Sequence, residues 1–198
     1  MTLRQRFLKR VFDIVASLCG LILVWWLIVI AFIIATIETR SNGFFVQKRV
    51  GKDGRLFSLF KIKTMHQSKT LTTTITTADD PRITVSGALF RRTKIDELPQ
   101  LINVLIGDMS LVGPRPDVPG YADKLSGDNT SILTLRPGIT GPATLKYKNE
   151  EALLAAQKDP KQYNNEIIWP DKVRINRQYL EEWTFWTDLI YLWRTLSK

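Results

Sequence analysis

Asp96 and Glu97 are adjacent carboxylates placed just before Pro99 and an apolar run, Leu101 to Ile106. At a helix start, the positive end of the backbone dipole would hold one carboxylate ionised, able to attack phosphorus or bind a metal. Its neighbour could keep a different pKa and move protons. The bland reading of the pair is helix capping. Thr93-x-x-Asp96 fits a capping box, and Asp96 is itself a good N-cap ahead of Pro99. Downstream, Gly113-Pro114-Arg115-Pro116 fixes the aim of one guanidinium, because proline on both sides limits the backbone. Arg115, Arg91 and Arg136, with Lys61 and Lys63, are the candidate phosphate contacts. Taken singly each is an ordinary solvated charge. With the carboxylates they form a set suited to a carboxylate attacking a phosphoanhydride, assisted by a divalent cation and guanidinium groups.

Other chemistries find little support. The chain has one cysteine, Cys19, inside an apolar run, which excludes an intramolecular disulfide and a cysteine-based zinc site. His66 is the only histidine, and no Gly-x-Ser-x-Gly elbow accompanies it. Neither a Walker loop nor Gly-x-Gly-x-x-Gly occurs. The 198 residues suffice for one domain, and the formal charge of +9 points to an anionic partner.

The elements that must position these residues begin with Ile14 to Ile37, a run without charge. It is too long for a signal-peptide core and lacks an Ala-x-Ala site, so it is read as retained. Arg4, Arg6, Lys9 and Arg10 precede it, and Arg40, Lys48, Arg49, Lys52 and Arg55 follow. Basic residues at both ends mark both as cytoplasmic. A helix that enters and leaves by one face fits this, and a spanning helix stays open. Phe44 to Val46 and Leu56 to Lys63 read as strands around a basic glycine turn, with Lys61 and Lys63 on one face. Thr70 to Thr77 reads as an exposed loop, Asp79 to Arg82 as a turn, and Gly87 to Thr93 as the lead into the carboxylate helix. Arg136 to Pro142 is a tight loop, Glu150 to Lys158 a short helix, and a last helix starts near Asp171. On it, Tyr179, Trp183, Trp186, Ile190 and Trp193 form one stripe, suited either to the core or to a membrane interface.

Several blocks occur in one order. They are Lys9-Arg10-Val11-Phe12-Asp13, Gln47-Lys48-Arg49-Val50-Gly51, Phe60-Lys61-Ile62-Lys63-Thr64-Met65 and Asp80-Pro81-Arg82-Ile83-Thr84. Asp96-Glu97-Leu98-Pro99-Gln100, Gly107 to Pro116 and Arg136 to Gly141 follow. On these blocks the chain resembles the small monotopic bacterial phosphoglycosyl transferases, the polyprenyl-phosphate sugar-phosphate transferases that begin glycan assembly. The resemblance covers almost the whole chain. It implies an α/β fold, α-rich with a small sheet. Residues 1–40 would form a basic N-terminus and re-entrant membrane helix, and 41–198 a compact cytoplasmic catalytic domain with interfacial amphipathic helices. Such membrane helices usually break at a Ser-Pro pair, and Trp25-Trp26 stands there in this chain. With no extra N-terminal membrane region, the chain reads as the minimal form of the family.

The resemblance also implies a reaction. The aspartate of the pair attacks the β-phosphate of a UDP-sugar, expels UMP, and passes the phosphosugar to a polyprenyl (undecaprenyl) phosphate. It makes Asp96 the nucleophile and Mg²⁺ contact, with Glu97 assisting the metal site or proton handling. Arg91 and Arg115 would hold phosphate, the Arg136 to Gly141 loop would shape the site, and one of Lys61 and Lys63 would reach it. The enzyme would sit on the cytoplasmic face of the bacterial inner membrane. The rivals are a membrane-anchored phosphohydrolase or nucleotidyl enzyme, and a non-catalytic membrane-tethered binder of anionic lipid or nucleic acid. Nucleic acid is disfavoured, because the charges are dispersed among glycine and proline turns rather than gathered in a basic patch.

Overall fold

The computed structural model describes residues 1–66 and 80–197. The threonine-rich segment read as a loop, and Asp79, lie outside them. The uncharged N-terminal run and its flanks form one helix, α1 (Leu3–Thr39), helical throughout and passing Trp25-Trp26 without a break. Its 37 residues correspond to about 55 Å of helix. A capping box between Thr2 and Gln5 starts it, and Arg40 in the left-handed conformation ends it. By length and composition α1 could cross a membrane.

The buried residues of α1 are Lys9, Asp13, Ser17, Ile28, Ala31 and Ala35, a helical spacing that lays one face on the rest of the chain. Ala31 and Ala35 bring the helix close to Ile62 and Phe90. The opposite face, including Val15, Ile22, Leu23, Trp25 and Trp26, is exposed and apolar. The basic residues read as topology marks are not all at the surface. Lys9 is buried on Asp188, and Arg10 donates to the carbonyls of Val104 and Leu105 at 2.6 and 2.9 Å.

β1 (Phe44–Val50) and β2 (Leu56–Ile62) pair antiparallel, from Phe44 opposite Ile62 to Val50 opposite Leu56. β1 runs past Val46, where the sequence placed its end, because the ladder closes at the glycine turn. α2 (Val85–Thr93) is capped by the Thr84 side chain. The carboxylates follow in a single 3₁₀ turn, Ile95–Glu97, and α3 (Gln100–Ile106) comes after. The capping expectation fails here. Thr93 is the last residue of α2 and its hydroxyl bonds back to Leu89, while the residue capping α3 is Pro99, without a side-chain bond. Lys94, in the left-handed conformation, turns the chain between the two helices.

β3 (Ser110–Val112) pairs in parallel with β4 (Gly138–Thr140). Thus part of the Arg136 to Pro142 loop is a strand. The two backbones approach so closely that a β-carbon on Gly113 would meet the Arg136 carbonyl at 2.5 Å, and one on Gly138 would strike the Gly113 nitrogen. Short helices α4 (Pro142–Lys146), α5 (Glu150–Ala155) and α6 (Pro160–Tyr163) follow, and α6 passes through a π turn into α7 (Trp169–Glu181). α8 (Phe185–Leu196) is separate. The expected single stripe is therefore split. Thr184 and Thr187 form a new capping box that restarts the helix. Tyr179 and Trp183 are in the core, whereas Trp186 and Trp193 are more than 70% exposed. The main core joins them to Phe57, Leu59, Val104, Met109 and Val112. The whole is helix-rich with small sheets, as the α/β expectation required.

Candidate active site

The carboxylate turn is wedged between β2 and the Gly-Pro-Arg-Pro turn. Asn103, on α3, fixes the first of these contacts. Its Oδ1 accepts from the Phe60 amide at 3.0 Å, and its Nδ2 donates to the Ser58 carbonyl at 2.8 Å. The side chain thus pairs with the edge of β2 that β1 leaves open. This brings Lys61 over the pair, with Nζ 3.1 Å from Glu97 Oε1 and 3.4 Å from Asp96 Oδ2. From the other side Arg115 Nη2 donates to the same Glu97 oxygen at 2.9 Å. Asp96 and Glu97 are both buried, whereas the Arg115 side chain is 42% exposed, open to an incoming anion.

The two carboxylates are electrostatically unequal. Burial works to raise Glu97, but Arg115 and Lys61 outweigh it and hold its carboxyl well below the usual range. Asp96 goes the other way. Burial raises it, Lys61 offsets this in part, and the Glu97 charge adds to the rise. The turn that holds Asp96 does not cap α3. Its Oδ1 is buried and has no hydrogen-bond partner. Glu97 is therefore the fixed anion that gathers the two cations, and Asp96 carries the oxygen free to act.

Four of the expected residues, Asp96, Glu97, Lys61 and Arg115, are thus brought together. Of the two lysines it is Lys61 that reaches the pair, because Lys63 donates instead to the Ser41 hydroxyl at 2.8 Å. Arg91 pairs with Glu151 at 2.7 Å. Arg136 donates through Nε to the Gly107 carbonyl at 2.8 Å, beside Arg10. His66 is tied into the chain by its backbone amide, which donates to the Arg82 carbonyl.

Sequence reasoning missed Asn103, Arg49 and Asp117. Arg49 donates to the Pro116 carbonyl at 3.2 Å, and the Val50 amide donates to the Asp117 carbonyl, so the end of β1 holds the turn that carries Arg115. Burial pushes Asp117 up to about 6, against Lys172, Arg49 and Arg115. The available signals were a lone polar residue in an apolar run, for Asn103, and the Gln47 to Gly51 block, for Arg49.

No group of three or more His, Cys, Asp or Glu side chains is gathered among the described residues. Magnesium does not require one. It binds through one or two carboxylates and completes its shell with water and substrate phosphate. The unpartnered Asp96 Oδ1 is a hard oxygen donor of the right kind.

A family model described as bacterial sugar transferase matches residues 4–198. The chain belongs to that family. An uncharacterised sugar transferase of Bacillus subtilis, EpsL, is 35% identical over 193 residues, covering 96% of this chain and 86% of the relative. A putative undecaprenyl-phosphate N-acetylgalactosaminyl 1-phosphate transferase of the same organism is 40% identical over 150 residues, 75% of this chain and 83% of the relative. The undecaprenyl-phosphate galactose phosphotransferase of Salmonella typhimurium is 33% identical over 209 residues, which are 96% of this chain but only 40% of that protein. This bacterial sugar transferase is a transferase enzyme of a membrane-associated family, and α1 is its apolar N-terminal helix.

Proposed function

We propose that the enzyme transfers a phosphosugar from a UDP-sugar to a polyprenyl phosphate, of which undecaprenyl phosphate is the type, with release of UMP. The observation that carries this reading is the buried Asp96 carboxylate, its Oδ1 unpartnered, beside two cations that Glu97 holds in place. Relatives named for undecaprenyl-phosphate sugar transfer support it.

A carboxylate oxygen of Asp96 attacks the phosphorus that bears the sugar, and the bond from that phosphorus to the UMP oxygen breaks. A phosphosugar–aspartyl ester results, and UMP carries away the electron pair. An oxygen of the polyprenyl phosphate then attacks the same phosphorus and returns Asp96 as a carboxylate. A raised proton affinity makes Asp96 the better nucleophile once ionised. Lys61 and the exposed face of Arg115 neutralise charge on the phosphoryl oxygens. Asp96, with Glu97 beside it, would hold Mg²⁺, which supplies Lewis-acid stabilisation of the diphosphate. Arg91 would meet donor phosphate after leaving Glu151, and the Arg136 to Gly141 loop would act as the wall behind Arg115.

The enzyme would work at the cytoplasmic face of the inner membrane, held in one leaflet by α1. Contacts with a single domain run from Lys9 on Asp188 to Glu38 on Ser86. A helix spanning the bilayer would have to leave that domain behind. α8 would rest at the interface, since Phe185 packs edge-on against Phe12 of α1 and Trp186 and Trp193 are exposed.

The deciding experiment measures UMP release from a panel of UDP-sugars by detergent-solubilised enzyme, with and without Mg²⁺ and undecaprenyl phosphate. Metal-dependent UMP from one or a few sugars, with a phosphosugar adduct on the protein when the acceptor is withheld, is the expected result. Free sugar phosphate in place of lipid product would make the enzyme a hydrolase and overturn the reading.

A further inference from the structure

Asp13 has no part in the transfer chemistry proposed above. It is an acid on the apolar helix α1 and only 2% exposed. A buried carboxylate is costly unless its oxygens are bonded, and one on such a helix calls for an explanation in function. Asp13 Oδ1 accepts the Leu111 amide at 3.0 Å. Leu111 is the middle residue of β3, a three-residue strand with β4 on one side only. Ser110 and Gly113 donate their amides to Pro137 and Thr140, each at 2.8 Å, and Asp13 supplies the acceptor for the Leu111 amide.

Asp13 is itself held. One turn earlier, Lys9 Nζ lies 2.5 Å from Asp188 Oδ2, and Asp188 also receives Tyr179 Oη at 2.6 Å and Trp183 Nε1 at 3.1 Å. Arg10 grips the last carbonyls of α3. The start of α1 is thus bonded to α3, β3 and α8, and through Asp188 it is linked to Tyr179 of α7. Only Val112, Gly113 and Pro114 separate Leu111 from Arg115. Pro114 has a fixed φ and the Gly113 amide is bonded to Thr140, so a shift of β3 is passed to the guanidinium on Glu97 with little slack.

We propose that Asp13 is a positioning residue for the transfer reaction. It docks the membrane helix onto β3 and so sets the position from which Arg115 meets the donor phosphate. The proposal rests on the reading of Arg115 as a phosphate contact. It makes α1 a part of the active-site scaffold as well as an anchor.

The test uses full-length enzyme in detergent. Asp13→Ala and Asp13→Asn are measured for UMP release, each in the wild-type and the Arg115→Ala background, with hydrogen exchange over residues 108–118. Asp13→Ala is expected to lower kcat/KM about tenfold or more and to speed exchange at β3. Asp13→Asn keeps an oxygen acceptor and should stay within about threefold of wild type. With Arg115 already removed, Asp13→Ala should cost less than about twofold, because the two act in series. Equal fold losses in both backgrounds would show general damage and overturn the proposal, as would wild-type activity with unchanged exchange. Should Asp13→Ala fail to accumulate, Asp13→Glu displaces the carboxylate by one methylene and is judged by the same comparison. Arg115→Ala with wild-type kcat/KM would overturn the reading of Arg115 itself, and the proposal with it.

Discussion

At the residue scale, the proposed reaction depends on an unequal division of labour between two adjacent acids. Asp96→Asn keeps the size of the side chain and removes the carboxylate proposed to attack phosphorus, so it should abolish UMP release while the protein level in the membrane stays the same. Cys19 is exposed and has no part in the proposed reaction, so Cys19→Ser should retain measurable turnover. Loss of activity in that variant at full protein level would count against Asp96 as the nucleophile. Asp117 offers a prediction in pH. Its folded-state pKa is pushed up to about 6 by burial, above the ordinary carboxylate value of 3.8. Its contribution to stability is therefore complete below the unfolded value and lost as pH rises toward 6. Asp117→Asn should match wild type in melting temperature near pH 4 and exceed it at pH 7, measured as Tm against pH in one detergent. A constant difference across that range would refute the assignment.

At the scale of elements, a single side chain joins α3 to β2. Asn103→Ala strips partners from the Phe60 amide and the Ser58 carbonyl at once. Leaving such groups unpaired costs about 1–3 kcal/mol each. Thermal melting should fall accordingly, and activity should fall more than stability, because Lys61 follows Phe60 directly. The Asp-Glu pair, the Gly-Pro-Arg-Pro turn and the strand pair were legible in the sequence because each is set by local residue types. The capping of Asp96 and the single aromatic stripe were misread for the same reason. Local patterns fitted them, but the left-handed turn at Lys94 and the capping box at Thr184 placed the breaks elsewhere.

At the scale of the molecule, α1, 37 residues long with an uncharged run from Ile14 to Ile37, either stays in one leaflet or spans the bilayer. If α1 stays in one leaflet, both of its ends face the cytoplasm. In a Cys19→Ser background, Leu3→Cys and Arg40→Cys should both react with an impermeant thiol reagent in inside-out vesicles and neither in right-side-out ones. Labelling of the two from opposite sides would establish a spanning helix and overturn the proposed topology.

The sequence by itself determined the adjacent Asp-Glu pair, the apolar helix and the family blocks, since residue identity and short-range spacing are written along the chain. Only the tertiary structure decided which cations serve the carboxylates. Lys61 and Lys63 are two residues apart, yet one meets Glu97 and the other Ser41. Arg136 and Arg115 both lie in proline-bounded turns, yet one meets Glu97 and the other the Gly107 carbonyl. Lys9 and Arg10 look like flanking charges for a membrane and are instead bonded inside the protein. A cation's partner is fixed by long-range packing, here of α1, β2 and β3 around α3, and periodicity in one segment holds no information about the others.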